Sequence, residues 1–214
     1  SFILKLKKKS LISKNVTNKK KALAVRFPSH PITRQLLKRL NYPLAAPSAN
    51  ISTKISPVSK KDVKDEFGKK ISFILDGGRS KIGVESTIIN LINKPKVLRL
   101  GGVPKEQIKK YLNSSLEYFS KSKIKTPGQE KLHYSPYKKI RLNIKNANKN
   151  EAFILIKKRK KVASNYFYLS KNKDLEEAAK NLYKTLRFIK KSKFKSIAVE
   201  NIPNKGFGEV INDR

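Results

Sequence analysis

Apolar residues in this chain come in short runs set between lysine-rich stretches, and none approaches the roughly 18 residues needed to span a bilayer. Most of the runs read as strands. Residues 2–6 alternate apolar and basic side chains, as a half-buried strand does, and residues 22–27 form a second run that Pro28 ends. Between them residues 7–21 read as a basic loop at a hairpin tip. Further strands are expected at 44–46, 71–75, 87–92, 96–100, 153–156, 166–169 and 196–199, with Asn93-Lys94-Pro95 turning one hairpin. Helical spacing is rarer. Ile32, Leu36, Leu37 and Leu40 recur behind Pro31, Ser59 and Asp62 open a helix that Gly68 stops, and Pro104 precedes Ile108 and Leu112.

The clearest helix covers residues 174–191, where Leu175, Ala178, Ala179, Leu182, Leu186 and Ile189 make one stripe. Asp174, Glu176 and Glu177 sit at its positive end, and Lys190 and Lys191 at its negative end. A strand on either side suggests a small α/β domain with a right-handed crossover. From 113 to 141 periodicity fades, and Thr126-Pro127-Gly128 and Ser135-Pro136 mark a long linker that carries His133 and Tyr134.

Hydrophobic residues make up 38% of the 214, with ten Phe and eight Tyr, enough to fold despite a net charge of +36. Cysteine is absent and only two histidines occur, so disulfides, thiolate nucleophiles, zinc cages and Ser-His-Asp triads are not expected. The charge has two readings. Clustered Lys and Arg bind nucleic-acid phosphates, but only nine of the 51 basic residues are arginine, a bias that AT-rich coding produces on tolerant surfaces.

Chemistry concentrates in a few uncharged loops. Ser48, Asn50, Ser52 and Ser56 crowd one of them, and their hydroxyls, amide and backbone N–H groups either bind ligand oxygens or cap an ordinary turn. Gly83-Val84-Glu85-Ser86-Thr87 offers the same choice before a strand. Arg26 and Arg99 each end an apolar run, where a guanidinium suits a planar carboxylate or phosphate, or else a surface ion pair. Asp76 and Glu85 are the carboxylates embedded among these loops, and no Walker A or Rossmann glycine pattern is present.

Six ordered blocks carry a specific resemblance: Ala24-Val25-Arg26-Phe27-Pro28, Leu44-Ala45-Ala46-Pro47-Ser48-Ala49-Asn50, Ser56-Pro57, Ile74-Leu75-Asp76-Gly77-Gly78, Gly83-Val84-Glu85-Ser86-Thr87 and Leu98-Arg99-Leu100-Gly101-Gly102. Together they resemble the YrdC-type threonylcarbamoyl-AMP synthases. His133-Tyr134-Ser135-Pro136, residues 174–186 and Gly206-Phe207-Gly208 with Ile211-Asn212-Asp213-Arg214 resemble the linker and C-terminal domain of the two-domain form.

The resemblance implies an α/β fold. A partial, twisted-sheet YrdC-like domain would occupy residues 1–113, a linker or lid 114–150, and a small Rossmann-like α/β C-terminal domain 151–214. It also implies a cytoplasmic nucleotidyltransferase, with no membrane association, that makes L-threonylcarbamoyladenylate and pyrophosphate from L-threonine, bicarbonate and ATP. Its product would serve N6-threonylcarbamoyladenosine formation in tRNA, handed to a downstream threonylcarbamoyl-transferase complex. Carried over by residue, Arg26, Ala46 and Ser86 would hold L-threonine, and Ser48, Ser56, Arg99 and Tyr134 would bind ATP. Ala22, Asn50 and His133 are secondary candidates. Magnesium is expected to accompany ATP, with no ligand set singled out, and double-stranded RNA or tRNA binding is a further expectation.

The departures also carry an expectation. In the family a threonine-tyrosine-glycine block and a Lys/Arg-rich block precede the 2–6 strand, Lys54 stands near a usual glycine, Ala22 replaces a common threonine, and the family continues past Arg214. These 214 residues are therefore expected to be a piece of the enzyme with little or no activity of their own. Two rival readings are an RNA- or tRNA-binding module without catalysis, resting on the basic surface, and a C-terminal protein-interaction module.

Overall fold

The computed structural model describes residues 1–112, 117–118, 133–160 and 162–214. Its elements run β1 (Phe2–Lys5), α1 (Lys14–Thr17), β2 (Ala22–Val25), α2 (Pro31–Lys38), α3 (Lys60–Phe67), β3 (Ile88–Asn90), β4 (Lys96–Arg99), α4 (Lys105–Lys109) and β5 (Glu117–Tyr118). There follow β6 (Lys139–Arg141), β7 (Glu151–Lys157), β8 (Tyr166–Ser170), α5 (Leu175–Lys190), β9 (Ser196–Val199) and α6 (Phe207–Asn212). The architecture is mixed α/β. Contacts group the chain into two compact units, Ser1–Ser48 with Ser86–Pro127, and Ala49–Glu85 with Gly128–Arg214.

The first unit holds a five-stranded sheet in the order β2-β1-β3-β4-β5. β1 pairs antiparallel with β2, Phe2 lying opposite Val25, which makes the predicted hairpin; α1 interrupts its loop, capped where Ser13 accepts from the Asn15 N–H. β1 runs parallel to β3 with Phe2 beside Ile89, and β3 pairs antiparallel with β4 with Ile88 opposite Arg99. This register places Arg26, the residues preceding Ile88 and Arg99 at one end of the sheet. The apolar side chains form two small clusters, Ile3, Ile88 and Leu98 in one and Val97 with Ile108 in the other.

The second unit is built on a parallel sheet in the order β6-β9-β7-β8. β7 is covered on both faces, the condition under which a strand reads as a continuous apolar run. Ala152, Ile154 and Ile156 cluster with Ala178, Ala179, Leu182, Leu186 and Ile189 of α5, whereas Phe153 and Leu155 cluster with Ala198. At the start of α5 the Asp174 carboxylate accepts from the Glu177 N–H at 2.8 Å, satisfying an otherwise orphaned donor. Ile55 and Val58 lie in the same cluster as the α5 stripe. Next to them the α3 cap is reciprocal: Ser59 accepts from the Asp62 N–H, and the Asp62 carboxylate from the Val58 N–H.

Two expected strands do not form. Residues 44–46 and 71–75 have no ladder partner among the described strands, and Leu44, Phe73 and Leu75 are exposed. An apolar run becomes a strand only where another strand offers its edge, which local pattern does not reveal. β6 and α6 have too little local periodicity to be read in advance, and Thr126-Pro127-Gly128 lies outside the described residues.

Candidate functional site

The sequence candidates fall into two clusters, one in each unit. In the first unit Arg99 is fixed on Ser86: its Nε and Nη2 donate to the Ser86 carbonyl at 3.2 and 2.7 Å, and Nη2 lies 3.3 Å from the Ser86 hydroxyl. The Ser86 hydroxyl also meets that of Ser1 at 2.8 Å. Thr87, marked in the sequence only as the last residue of the Gly83-Val84-Glu85-Ser86-Thr87 block, braces the same loop. Its hydroxyl donates to the Val103 carbonyl at 2.7 Å and accepts from the Val103 N–H at 3.0 Å. Arg26 follows β2 at the same sheet end and is exposed. Ala22 sits within β2, paired with Lys5, while Ala46 and Ser48 lie exposed in the loop after α2.

Two guanidinium groups beside a hydroxyl loop can clamp an anionic, planar group. One fork is pre-oriented by Ser86, which lowers the ordering cost of binding. The neighbouring opening, about 540 Å³, is lined by Phe27, Pro28, Ser29, Arg34, Leu37 and Lys38, so it lies along α2.

In the second unit Asn50 closes its own turn, donating to the carbonyls of Ile51 and Lys54 at 3.0 and 3.1 Å, which is the turn-capping alternative for that residue. Ser56 is engaged otherwise. Its hydroxyl donates to Glu85 Oε1 at 2.5 Å, while Tyr183 and Arg214 donate to Glu85 Oε2 at 2.8 and 3.0 Å. Tyr134 is 4% exposed. It stacks on Tyr183 with ring centroids 5.5 Å apart, and the Arg214 guanidinium lies 4.9 Å from its centroid. His133 meets the Tyr134 ring edge-on at 4.4 Å, and among the described residues its Nδ1 has no hydrogen-bond partner.

Burial, and then the Glu85 carboxylate, push the Tyr183 phenol up, so it stays protonated and donates. Burial works against the charge on Arg214, but the oxygens of Tyr183 and Glu85 more than offset it and its pKa is raised. The sequence marks Glu85 only as a carboxylate among the loops and Arg214 only as the end of the Ile211-Asn212-Asp213-Arg214 block, with no site role for either, and does not mark Tyr183. For Arg214 the signal was its being one of nine arginines in a lysine-rich chain; Tyr183 lay inside a helix whose stripe read as core.

Arg187 ties the candidate loop to the core. It donates to the Ile55 carbonyl at 2.8 Å and pairs with Asp62 and Glu66 at 3.3 and 3.4 Å. Among the described residues no group of three or more His, Asp or Glu converges on a metal position. Glu85 is already engaged by three donors and Asp76 pairs with Lys60, so these residues do not fit a dedicated magnesium cage. No helix among the described residues is long and apolar enough to cross a membrane.

Residues 1–101 match the Sua5_yciO_yrdC family profile (telomere recombination), and residues 103–214 match the C-terminal domain of threonylcarbamoyl-AMP synthase. The chain is 36% identical to the threonylcarbamoyl-AMP synthase of Pyrococcus abyssi over 232 residues, covering 99% of the chain and 68% of the relative. Against the Schizosaccharomyces pombe synthase the identity is 32%, covering 95% of the chain and 58% of the relative; against that of Bacillus subtilis it is 29%, covering 97% and 66%. The chain thus spans roughly three-fifths to two-thirds of its curated relatives. The crystal structure of P. abyssi Sua5 complexed with L-threonine superposes with a TM-score of 0.84 at 31% identity, over 99% of this chain and 67% of that one. A P. abyssi Sua5 variant with adjacent histidine and tyrosine replaced by alanine gives a TM-score of 0.77 at 29% identity, over 100% and 66%.

Proposed function

This chain belongs to the threonylcarbamoyl-AMP synthases, and on that footing we propose that it contributes to joining L-threonine, bicarbonate and ATP into L-threonylcarbamoyladenylate. Pyrophosphate and water leave. In bond terms the threonine nitrogen acquires a carboxyl group from bicarbonate, and an oxygen of that carbamate bonds to the α-phosphorus as the bond to pyrophosphate breaks. Such a reaction needs reactants held in line and negative charge neutralised, with no covalent enzyme intermediate.

The observation that carries this reading is the convergence of Arg26, Ser86 and Arg99 at one end of the first sheet. Arg26 holds the threonine carboxylate, with Ala46 and Ser86 beside it and Ala22 behind; the L-threonine complex of the P. abyssi relative supports an amino-acid site. Arg99, Ser48 and Ser56 contact ATP, and Asn50 shapes their loop. Tyr134 contacts the nucleotide as part of a lid only after leaving its place against Tyr183 and Arg214, because a ring 4% exposed offers no face to a ligand. The paired substitution in the P. abyssi variant supports a role for His133 and Tyr134 together.

Magnesium travels with the triphosphate in this reading, and no step here depends on it. We place the protein in the cytoplasm, its product passing to a downstream transferase complex acting on tRNA. A direct tRNA or double-stranded RNA contact rests on the lysine charge alone. The test is pyrophosphate release from ATP by the full-length protein: dependence on both threonine and bicarbonate is expected, with Arg26→Ala raising KM for threonine. Release indifferent to threonine would sink the assignment.

A further inference from the structure

Three donors meet on the Glu85 carboxylate, and the one from Ser56 has a consequence for what Ser56 can bind. Arg214 Nε and Tyr183 OH both donate to Oε2, and neither can reverse: a guanidinium has no acceptor, and the buried phenol keeps its proton. Both side chains are 1% exposed, so this half of the carboxylate is fixed. The Ser56 hydroxyl donates its one proton to Oε1 at 2.5 Å. What Ser56 has left are lone pairs. Phosphate oxygens are acceptors and gain nothing from a second acceptor, whereas ribose hydroxyls and the adenine amine are donors.

We propose that Glu85 is a positioning residue that holds Ser56 as a hydrogen-bond acceptor, and that Ser56 receives a donor group of the nucleoside, a ribose hydroxyl or the adenine amine, in place of a phosphate contact. The inference rests on the reading of Ser56 as a nucleotide contact in a threonylcarbamoyl-AMP synthase.

The experiment is calorimetric binding of ATP, 2′-deoxy-ATP, 3′-deoxy-ATP and purine riboside triphosphate to the full-length protein and to Ser56→Ala, Glu85→Gln and Tyr183→Phe. One of the three analogues, each lacking a single donor, is expected to bind the wild type about five- to tenfold more weakly than ATP. That gap closes in Ser56→Ala. It narrows in Glu85→Gln, because the amide must turn its oxygen toward Arg214 and Tyr183 and its NH2 toward Ser56, which occupies one Ser56 lone pair and frees the hydroxyl proton. In Tyr183→Phe the Ser56–Glu85 bond remains and the gap persists.

No gap for any analogue in the wild type, or a gap that survives in Ser56→Ala, overturns the proposal. So does a Ser56→Ala variant that weakens ATP but not adenosine, since that places Ser56 on the triphosphate. If Glu85→Gln loses its thermal transition, the comparison of Ser56→Ala with wild type decides alone. Binding is the readout, so ATP discrimination without threonine-dependent turnover removes only the functional assignment, and the reverse removes only this inference.

Discussion

In the second unit every residue from Glu151 to Ile156 is buried, because α5 packs on one face of β7 while Ile144, Ala147, Tyr166 and Tyr168 pack with Phe153 and Leu155 on the other. In the first unit β1 buries Ile3 alone, and α2 buries none of its residues despite its amphipathic spacing. The difference shows two ways of fixing a functional side chain. Tyr183 and Arg214 are held by a core, whereas the half-exposed Arg99 is oriented by hydrogen bonds that include those to Ser86. Substitutions should therefore register as stability losses in one unit and as activity losses in the other.

The largest expected effect is Leu155→Ala, where a fully buried side chain leaves a cavity between packed layers; a loss of about 3 kcal/mol in urea unfolding is expected. Arg99→Ala should cut threonine-dependent pyrophosphate release by the full-length protein about a hundredfold while moving its unfolding midpoint little. A midpoint shift as large as that of Leu155→Ala would erase the contrast between the units.

Arg141→Ala probes an ion pair in the second unit. Arg141 grips the Glu151 carboxylate with two bonds at 2.9 and 2.6 Å, and with the Asn148 N–H and Ser196 it depresses that carboxyl to about 2. Since the folded value is depressed, the stabilisation is complete above the ordinary glutamate value and is lost as pH falls toward 2. Arg141→Ala should lower the urea midpoint at neutral pH and flatten its acid dependence. The smallest effect is expected for Leu36→Ala on α2, under about 0.5 kcal/mol, because that side chain is already 36% exposed.

Much of the fold was legible where forces act within a few residues. The α5 stripe, its Asp174 cap, the Ser59 cap of α3 and the β1–β2 and β3–β4 hairpins all follow from spacing and turn chemistry. The 71–75 run was misread for the same reason, since its composition says strand and only the set of available edges says otherwise. Arg26, Ser86 and Arg99 were found by residue type and order, and strand register brings them to one end. Glu85 was noticed only as a carboxylate among loops, and its partners were not.

Sequence alone was enough for the capped helices, the two hairpins and the β7–α5 pattern, for the family to which the ordered motifs belong and for the identity of the arginines and hydroxyls worth watching. Tertiary structure alone decided what those groups face. Tyr183 and Arg214 reach Glu85 from 98 and 129 residues away, and the Ser56 proton is committed because those two donors hold the far side of the same carboxylate. Local periodicity carries no information at such separations; only packing brings the donors together and thereby sets which polarity Ser56 presents.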